Sequence, residues 1–204
     1  MSRVVAVTPR LSDAVQSCGA TLARHAAEGH DVVALCVFTS GGDPRDERAA
    51  TALAIHPAVH FAVDDAAARG YTGHARHDGL RPDDDAPKVA GAGLAVALAR
   101  IEPDLVLAPL GLGGDVDHEV VSRALDELDV GRLRWLDLPF ALARTPGAPL
   151  GAGEVVVVPA GEHLAAKLEA ASAYGADVER LERHAREEGE RTGAGGPVEL
   201  LVRR

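Results

Sequence analysis

Aromatic side chains are scarce: three Phe, two Tyr and one Trp make up 3% of the 204 residues. So few leave no platform on which successive bases could stack. Positive charge is short as well. Lys and Arg total 21 against 31 Asp and Glu, a formal net charge of −10 at pH 7. Neither nucleic acid nor an anionic membrane surface is therefore an expected partner. The two cysteines, Cys18 and Cys36, are widely spaced in apolar surroundings and read as small buried hydrophobes, not as a disulfide or metal pair. No apolar run approaches the ~18 residues that a membrane span needs. The opening MSRVVAVTPR has no basic segment followed by a long apolar one, so no secretory leader is expected. These absences together predict a soluble, cytoplasmic protein.

What the chain does have is hydrophobic content, 47%, ample for one core, and a regular alternation of strand and helix signals. Residues 3–7 form a short β-branched run. Residues 13–28 carry Ala14, Val15, Cys18, Leu22 and Ala26 at helical spacing and end at Gly29. Residues 31–38 are continuously apolar, the mark of a strand buried on both faces. A helix with Pro at its first position follows over 44–54, then a strand over 59–63. Residues 64–87 show no periodicity, and a loop of that length reads as a lid or binding loop. Helices are predicted over 88–100 and 116–128, and strands over 104–108, 133–136, 155–158 and 198–202. Residues 144–153 read as a Pro/Gly-rich surface excursion, and 162–188 as two helices or one broken near Gly175. The pattern predicts one α/β domain over 1–204: a Rossmann-like, mainly parallel open sheet with helices on both faces.

Chemistry-bearing residues gather at two strand ends, where such sheets place their sites. Asp13 lies just past the first strand. Asp115 and His118, three apart, share one face of the turn after Gly111-Leu112-Gly113-Gly114. A carboxylate and an imidazole make a partial zinc set, one short of the three protein ligands of a catalytic site. The plainer alternative is an Asp N-cap at 13 and a packed or capping His at 118. The glycines lack the G-x-G-x-x-G spacing of a dinucleotide loop. His74 and His77 read as solvated loop residues. His25, His30, His163 and His184 read as surface residues, and His56 and His60 as structural. Ser17 and Ser40 have no triad context.

Several stretches also form a pattern together. Pro9-Arg10-Leu11-Ser12-Asp13 closes strand one and runs on to Gly19. Glu28-Gly29-His30 closes the first helix, and Phe38-Thr39-Ser40-Gly41 follows the second strand. Asp115-Val116-Asp117-His118 follows the glycine loop. With Arg69-Gly70-Tyr71-Thr72-Gly73-His74, Asp137-Leu138-Pro139-Phe140, Lys167 and Tyr174, the whole chain resembles the LmbE/PIG-L-like zinc N-deacetylases. That resemblance implies an LmbE-like fold and a site whose first motif is His-x-Asp-Asp and whose second is His-x-Asp-His. Position by position, it puts Arg10 at the first zinc ligand, Ser12 at the general base, Asp13 at the second ligand, Asp115 at the assisting His and His118 at the third ligand. Only Asp13 and His118 keep their ligand type.

The substitutions have definite chemical consequences. Arginine stays protonated, so Arg10 cannot ligate zinc and repels a cation beside it. Ser12 has no evident base to activate it and cannot replace a carboxylate in taking a proton from water. We expect the Arg10 guanidinium to stand near the zinc position, bonded to Asp13 or Asp115, with no metal cofactor. The expected function is a member of that fold that has lost zinc-dependent N-deacetylation. It keeps a pocket for a small polar ligand such as an amino-sugar, with Arg69, Tyr71, His74 and Arg76 as candidate contacts and a homo-oligomer as a possible assembly. Two alternatives stand beside this. One is an active metal-dependent hydrolase that holds zinc with Asp13, Asp115 and His118. The other is a metal-independent enzyme using Arg10 as an anion clamp and His118 as acid–base.

Overall fold

A computed structural model describes residues 1–39, 42–128, 130–143 and 153–203. Ser40 and Gly41 of the Thr-x-Gly turn and residues 144–152 of the surface excursion lie outside these described residues. The chain forms β1 (Arg3–Thr8), α1 (Leu11–Ala27), β2 (Asp31–Cys36), α2 (Pro44–Ala52), β3 (Val59–His60), α3 (Ala86–Ile101), β4 (Leu105–Pro109), α4 (Val116–Asp126), β5 (Arg132–Trp135), β6 (Glu154–Pro159), α5 (Leu164–Ser172), α6 (Val178–Thr192) and β7 (Val198–Arg203). Short 3-10 turns cover Gly73–His77, Phe140–Ala143 and Gly161–His163.

One seven-stranded sheet runs in the order β3-β2-β1-β4-β5-β7-β6. The first five strands are parallel. At the far edge β7 lies antiparallel to both β5 and β6, so the expected mainly parallel α/β sheet is present. Side-chain alternation explains the layering. Val4, Ala6, Val32, Ala34 and Cys36 pack on one face under α1, α2, α5 and α6. Val5, Val7, Leu35 and Val37 pack on the other under α3 and α4. Both faces are covered, hence the unbroken apolar runs of the central strands. β3 is shorter than its sequence suggests. Past His60 only isolated bonds hold it to the β2 chain, Phe61 N to Cys36 O at 2.8 Å and Val63 N to Val37 O at 3.4 Å. Among the described residues no helix is long and apolar enough to cross a membrane.

Helix α1 is interrupted where Cys18 leaves helical geometry (φ −133°, ψ 23°). Glu199 of β7 closes the gap. Its carboxylate accepts from Ala20 N at 3.0 Å, Thr21 N at 2.7 Å and Thr21 Oγ1 at 2.6 Å, as a capping residue would at a helix start. Lys167 of α5 neutralises it at 2.7 Å, with both side chains buried. Tyr174 is also tied inward, donating to Asp46 Oδ1 at 2.6 Å. A carboxylate that saturates two backbone donors and a buried ammonium is costly to remove. Glu199→Gln should destabilise the fold by about 3 kcal/mol or more in urea unfolding. Lys167→Met should cost less, because Glu199 keeps its three other donors.

Candidate functional site

The carboxyl edge of the sheet brings together the ends of β1 and β4. Thr8 Oγ1 donates to Arg10 O at 2.7 Å, fixing the turn into α1. Arg10 is the N-cap of that helix, in extended geometry (φ −137°, ψ 156°). Asp13 is thus not the cap. It is the third helical residue, and its Oδ2 reaches back to accept from Arg10 N at 3.0 Å, the return half of a capping box. After β4, Gly113 and Gly114 adopt positive φ of 87° and 75°. A side chain at 114 would lie 2.5 Å from His77 O, and one at 113 would lie 2.8 Å from Phe140 Cβ, so only glycine fits this close approach. Asp115 then caps α4, its Oδ1 accepting from Asp117 N at 3.0 Å and His118 N at 3.3 Å.

His118 is buried between two carboxylates. Its Nδ1 lies 3.0 Å from Asp137 Oδ1, while Nε2 faces Asp13 Oδ2 at 3.7 Å and has no hydrogen-bond partner. Asp137 is fixed in turn, its Oδ2 accepting from Leu112 N at 2.5 Å. Phe140 meets the imidazole edge-on at 5.2 Å. Burial on its own disfavours the imidazolium, but the carboxylates of Asp13 and Asp137 more than offset it and push the pKa up to about 10.

The Arg10 guanidinium does not bond to Asp13 or Asp115 as expected. Arg10 Nη2 donates to Asp117 Oδ2 at 2.9 Å and to Asp65 Oδ2 at 3.2 Å. The reason lies in the caps: Asp13 is engaged by the Arg10 backbone and Asp115 by the first turn of α4. Asp117, fully buried, also accepts from Arg69 Nη2 at 2.6 Å. Arg69 continues to Asp84 Oδ2 at 2.5 Å, which Tyr71 OH also reaches at 2.8 Å. Arg76 Nη2 stands 3.8 Å from Asp117 and 3.9 Å from Asp115. The candidate contacts therefore separate. Arg69 and Tyr71 are committed to protein partners, Arg76 faces the pocket acids, and His74 is exposed on its 3-10 turn. Among the described residues none hydrogen-bonds Ser12 Oγ; Gln16 Nε2 reaches only Ser12 O, at 3.3 Å. Sequence reasoning missed Asp65 and Asp84. An aspartate in an unpatterned loop and one in the run Asp83-Asp84-Asp85 both read as solvated.

A zinc ion would find Asp13 Oδ2 and His118 Nε2 here, 3.7 Å apart. Among the described residues no third His, Cys, Asp or Glu joins that pair as a ligand set. The residues present fall short of a three-ligand catalytic site.

No family model matches this chain, and no curated protein matches it. Solved structures do. The zinc-inhibited form of teicoplanin deacetylase Orf2 superposes with a TM-score of 0.77 at 22% identity, over 100% of this chain and 99% of that one. N,N'-diacetylchitobiose deacetylase from Pyrococcus horikoshii, complexed with its inhibitor MPG, gives 0.66 at 15% identity over 99% and 82%. GalB, the 4-carboxy-2-hydroxymuconate hydratase from Pseudomonas putida, gives 0.65 at 15% identity over 99% and 95%. The fold is that of the LmbE/PIG-L-like zinc N-deacetylases, and the hydratase shares it.

The His118 environment sets a pH dependence. Its pKa is raised in the folded state above the ordinary 6.5. The stabilisation is therefore fully present below pH 6.5 and is lost as pH rises through about 10. NMR titration of the His118 ring should show the imidazolium persisting well above neutrality. Asp137→Asn should move that titration downward and flatten the loss of stability on the alkaline side. A wild-type ring titrating near 6.5 would contradict the arrangement.

Proposed function

We propose that this chain has kept the deacetylase fold, lost zinc-dependent N-deacetylation, and retained a pocket for a small polar ligand of the amino-sugar class. The observation that carries the reading is Arg10. It stands at the position of a ligand, and its guanidinium is anchored to Asp117 and Asp65. A fixed positive charge at that point disfavours a divalent ion, and Arg10 supplies no lone pair to hold one. Loss of the carboxylate at Ser12 removes the group that would take a proton from an attacking water. We place the protein in the cytoplasm, in line with its charge and the absence of long apolar helices among the described residues.

Two observations support a ligand. The diacetylchitobiose deacetylase, named for an N-acetylated sugar, shares the fold. Arg76 Nη2, on a partly exposed side chain, stands 3.8 Å from Asp117 and 3.9 Å from Asp115 without closing on either, which leaves donors for a molecule rich in hydroxyl and carbonyl acceptors. The rebuilt metal site is less well supported, because Asp115 is committed to capping α4. Metal-independent chemistry by Arg10 and His118 has one specific point in its favour: a hydratase is built on the same fold, and folds host more than one reaction.

N-acetylglucosamine derivatives should not be deacetylated with zinc or cobalt added. Deacetylation that depends on added metal and is abolished in Asp13→Asn would overturn the proposal. The triple variant Arg10→His, Ser12→Asp, Asp115→His should gain one equivalent of zinc that depends on Asp13, since it sets a third ligand beside Asp13 and His118.

A further inference from the structure

We propose that His25, Glu28 and His30 form a separate site for a zinc-class divalent cation, at the opposite edge of the sheet from the pocket. The site is made by the way α1 ends. Gly29 takes a positive φ of 81°, His30 N donates to His25 O at 3.0 Å, and Gly29 N donates to Ala26 O at 3.0 Å. This is a Schellman turn, which folds the residue after the glycine back onto the helix residue five before it, commonly as an apolar contact. Here both partners of that contact are histidines, with rings 5.5 Å apart, and the C-cap residue between them is Glu28.

The ligand atoms are already near coordinating distance. Glu28 Oε2 lies 3.6 Å from His25 Nδ1 and 3.5 Å from His30 Nε2, and all three atoms fall within 4.8 Å of one another. Around a tetrahedral zinc with bonds of ~2.0–2.1 Å, ligand atoms stand about 3.3–3.5 Å apart. Among the described residues this is the one group of three possible ligands that converges so closely. His25 Nδ1 is buried and has no hydrogen-bond partner. Arg24 Nε approaches the other Glu28 oxygen, Oε1, at 3.8 Å, leaving Oε2 to the histidines. A helix C-terminus with its free carbonyls also favours a cation.

Two imidazole nitrogens and one carboxylate oxygen select zinc, cobalt, nickel or copper over magnesium and calcium, which take oxygen ligands. Three protein ligands leave the fourth position to water. The ion would clamp the end of α1 to the start of β2. One existing bond must yield. Ser2 N donates to His30 Nδ1 at 3.2 Å, which places the ring proton on Nε2. On binding, the ring proton moves to Nδ1 as the Ser2 bond breaks, and the neutral imidazole coordinates through Nε2.

Zinc titration of the full chain, read by competition with a chromophoric chelator and by thermal melting, tests this. One equivalent should bind and raise the melting temperature. His25→Ala should abolish binding. Glu28→Gln, on an exposed side chain, should weaken it at least tenfold with the fold unchanged. Asp13→Asn should bind zinc as the wild type does. No zinc uptake, or uptake unaffected by both His25→Ala and Glu28→Gln, overturns this site and leaves the proposed function standing. Uptake that survives His25→Ala and Glu28→Gln but is lost in Asp13→Asn overturns both, because it puts the ion in the pocket.

Discussion

The pocket depends on one buried carboxylate. Asp117 has no exposed surface, and such a charge is tolerated only when it is fully paired. Its two oxygens are shared between Arg10, from the end of β1, and Arg69, from the long loop after β3. Those partners lie 107 and 48 residues away in the chain. Satisfying this single group therefore fixes three segments against one another. Arg69 passes the constraint onward to Asp84, and through it to Tyr71. The loop over 64–85 has little regular structure beyond one 3-10 turn, yet this charge pairing gives it a defined course.

The same pairing changes what the site can do. A zinc ion and a guanidinium can both neutralise carboxylates, but only the ion acts as a Lewis acid and lowers the pKa of a bound water. Arginine offers planar donors and a permanent charge. With His118 held as an imidazolium between Asp13 and Asp137, two cations built into the chain stand among the pocket acids.

The sheet was readable because its central strands are buried on both faces, which leaves continuous apolar runs such as residues 31–36. Helix ends were readable to within a few residues through Pro44, Gly29 and Gly193. Glu199 was not. In the run Val198-Glu199-Leu200 it fits an alternating strand with one residue in water, whereas it is buried under α1 as a cap. Its role depends on a break in a helix nearly 180 residues earlier in the chain. At the site, the strand-end positions of Asp13, Asp115 and His118 were legible in the pattern, and Arg10 entered through the resemblance. Their bonding was not legible, because it turned on which carboxylates the helix caps had already taken. His25 and His30 read as surface charges for a similar reason. Helical spacing does not bring positions 25 and 30 together; the αL glycine between them does.

The two buried charge clusters differ in a way that separates scaffold from site. At Glu199, both carboxylate oxygens are filled by two backbone donors, one hydroxyl and one ammonium. A cluster so saturated has no capacity for a ligand, and its function is the joint it makes between α1, α5 and β7. At the ends of β1 and β4, Asp117, Asp65 and Asp84 are each paired with an arginine, but one arginine is left without a close partner. Arg76 hovers 3.8 to 3.9 Å from two carboxylates without closing on either. Unsatisfied buried donors are costly, and a folded chain tolerates them where something else completes the bonds. Buried ion networks are in general poor sources of stability compared with well-packed apolar groups. The cluster is therefore ill-suited to serving stability alone, and Arg76 is the group whose donors it leaves open.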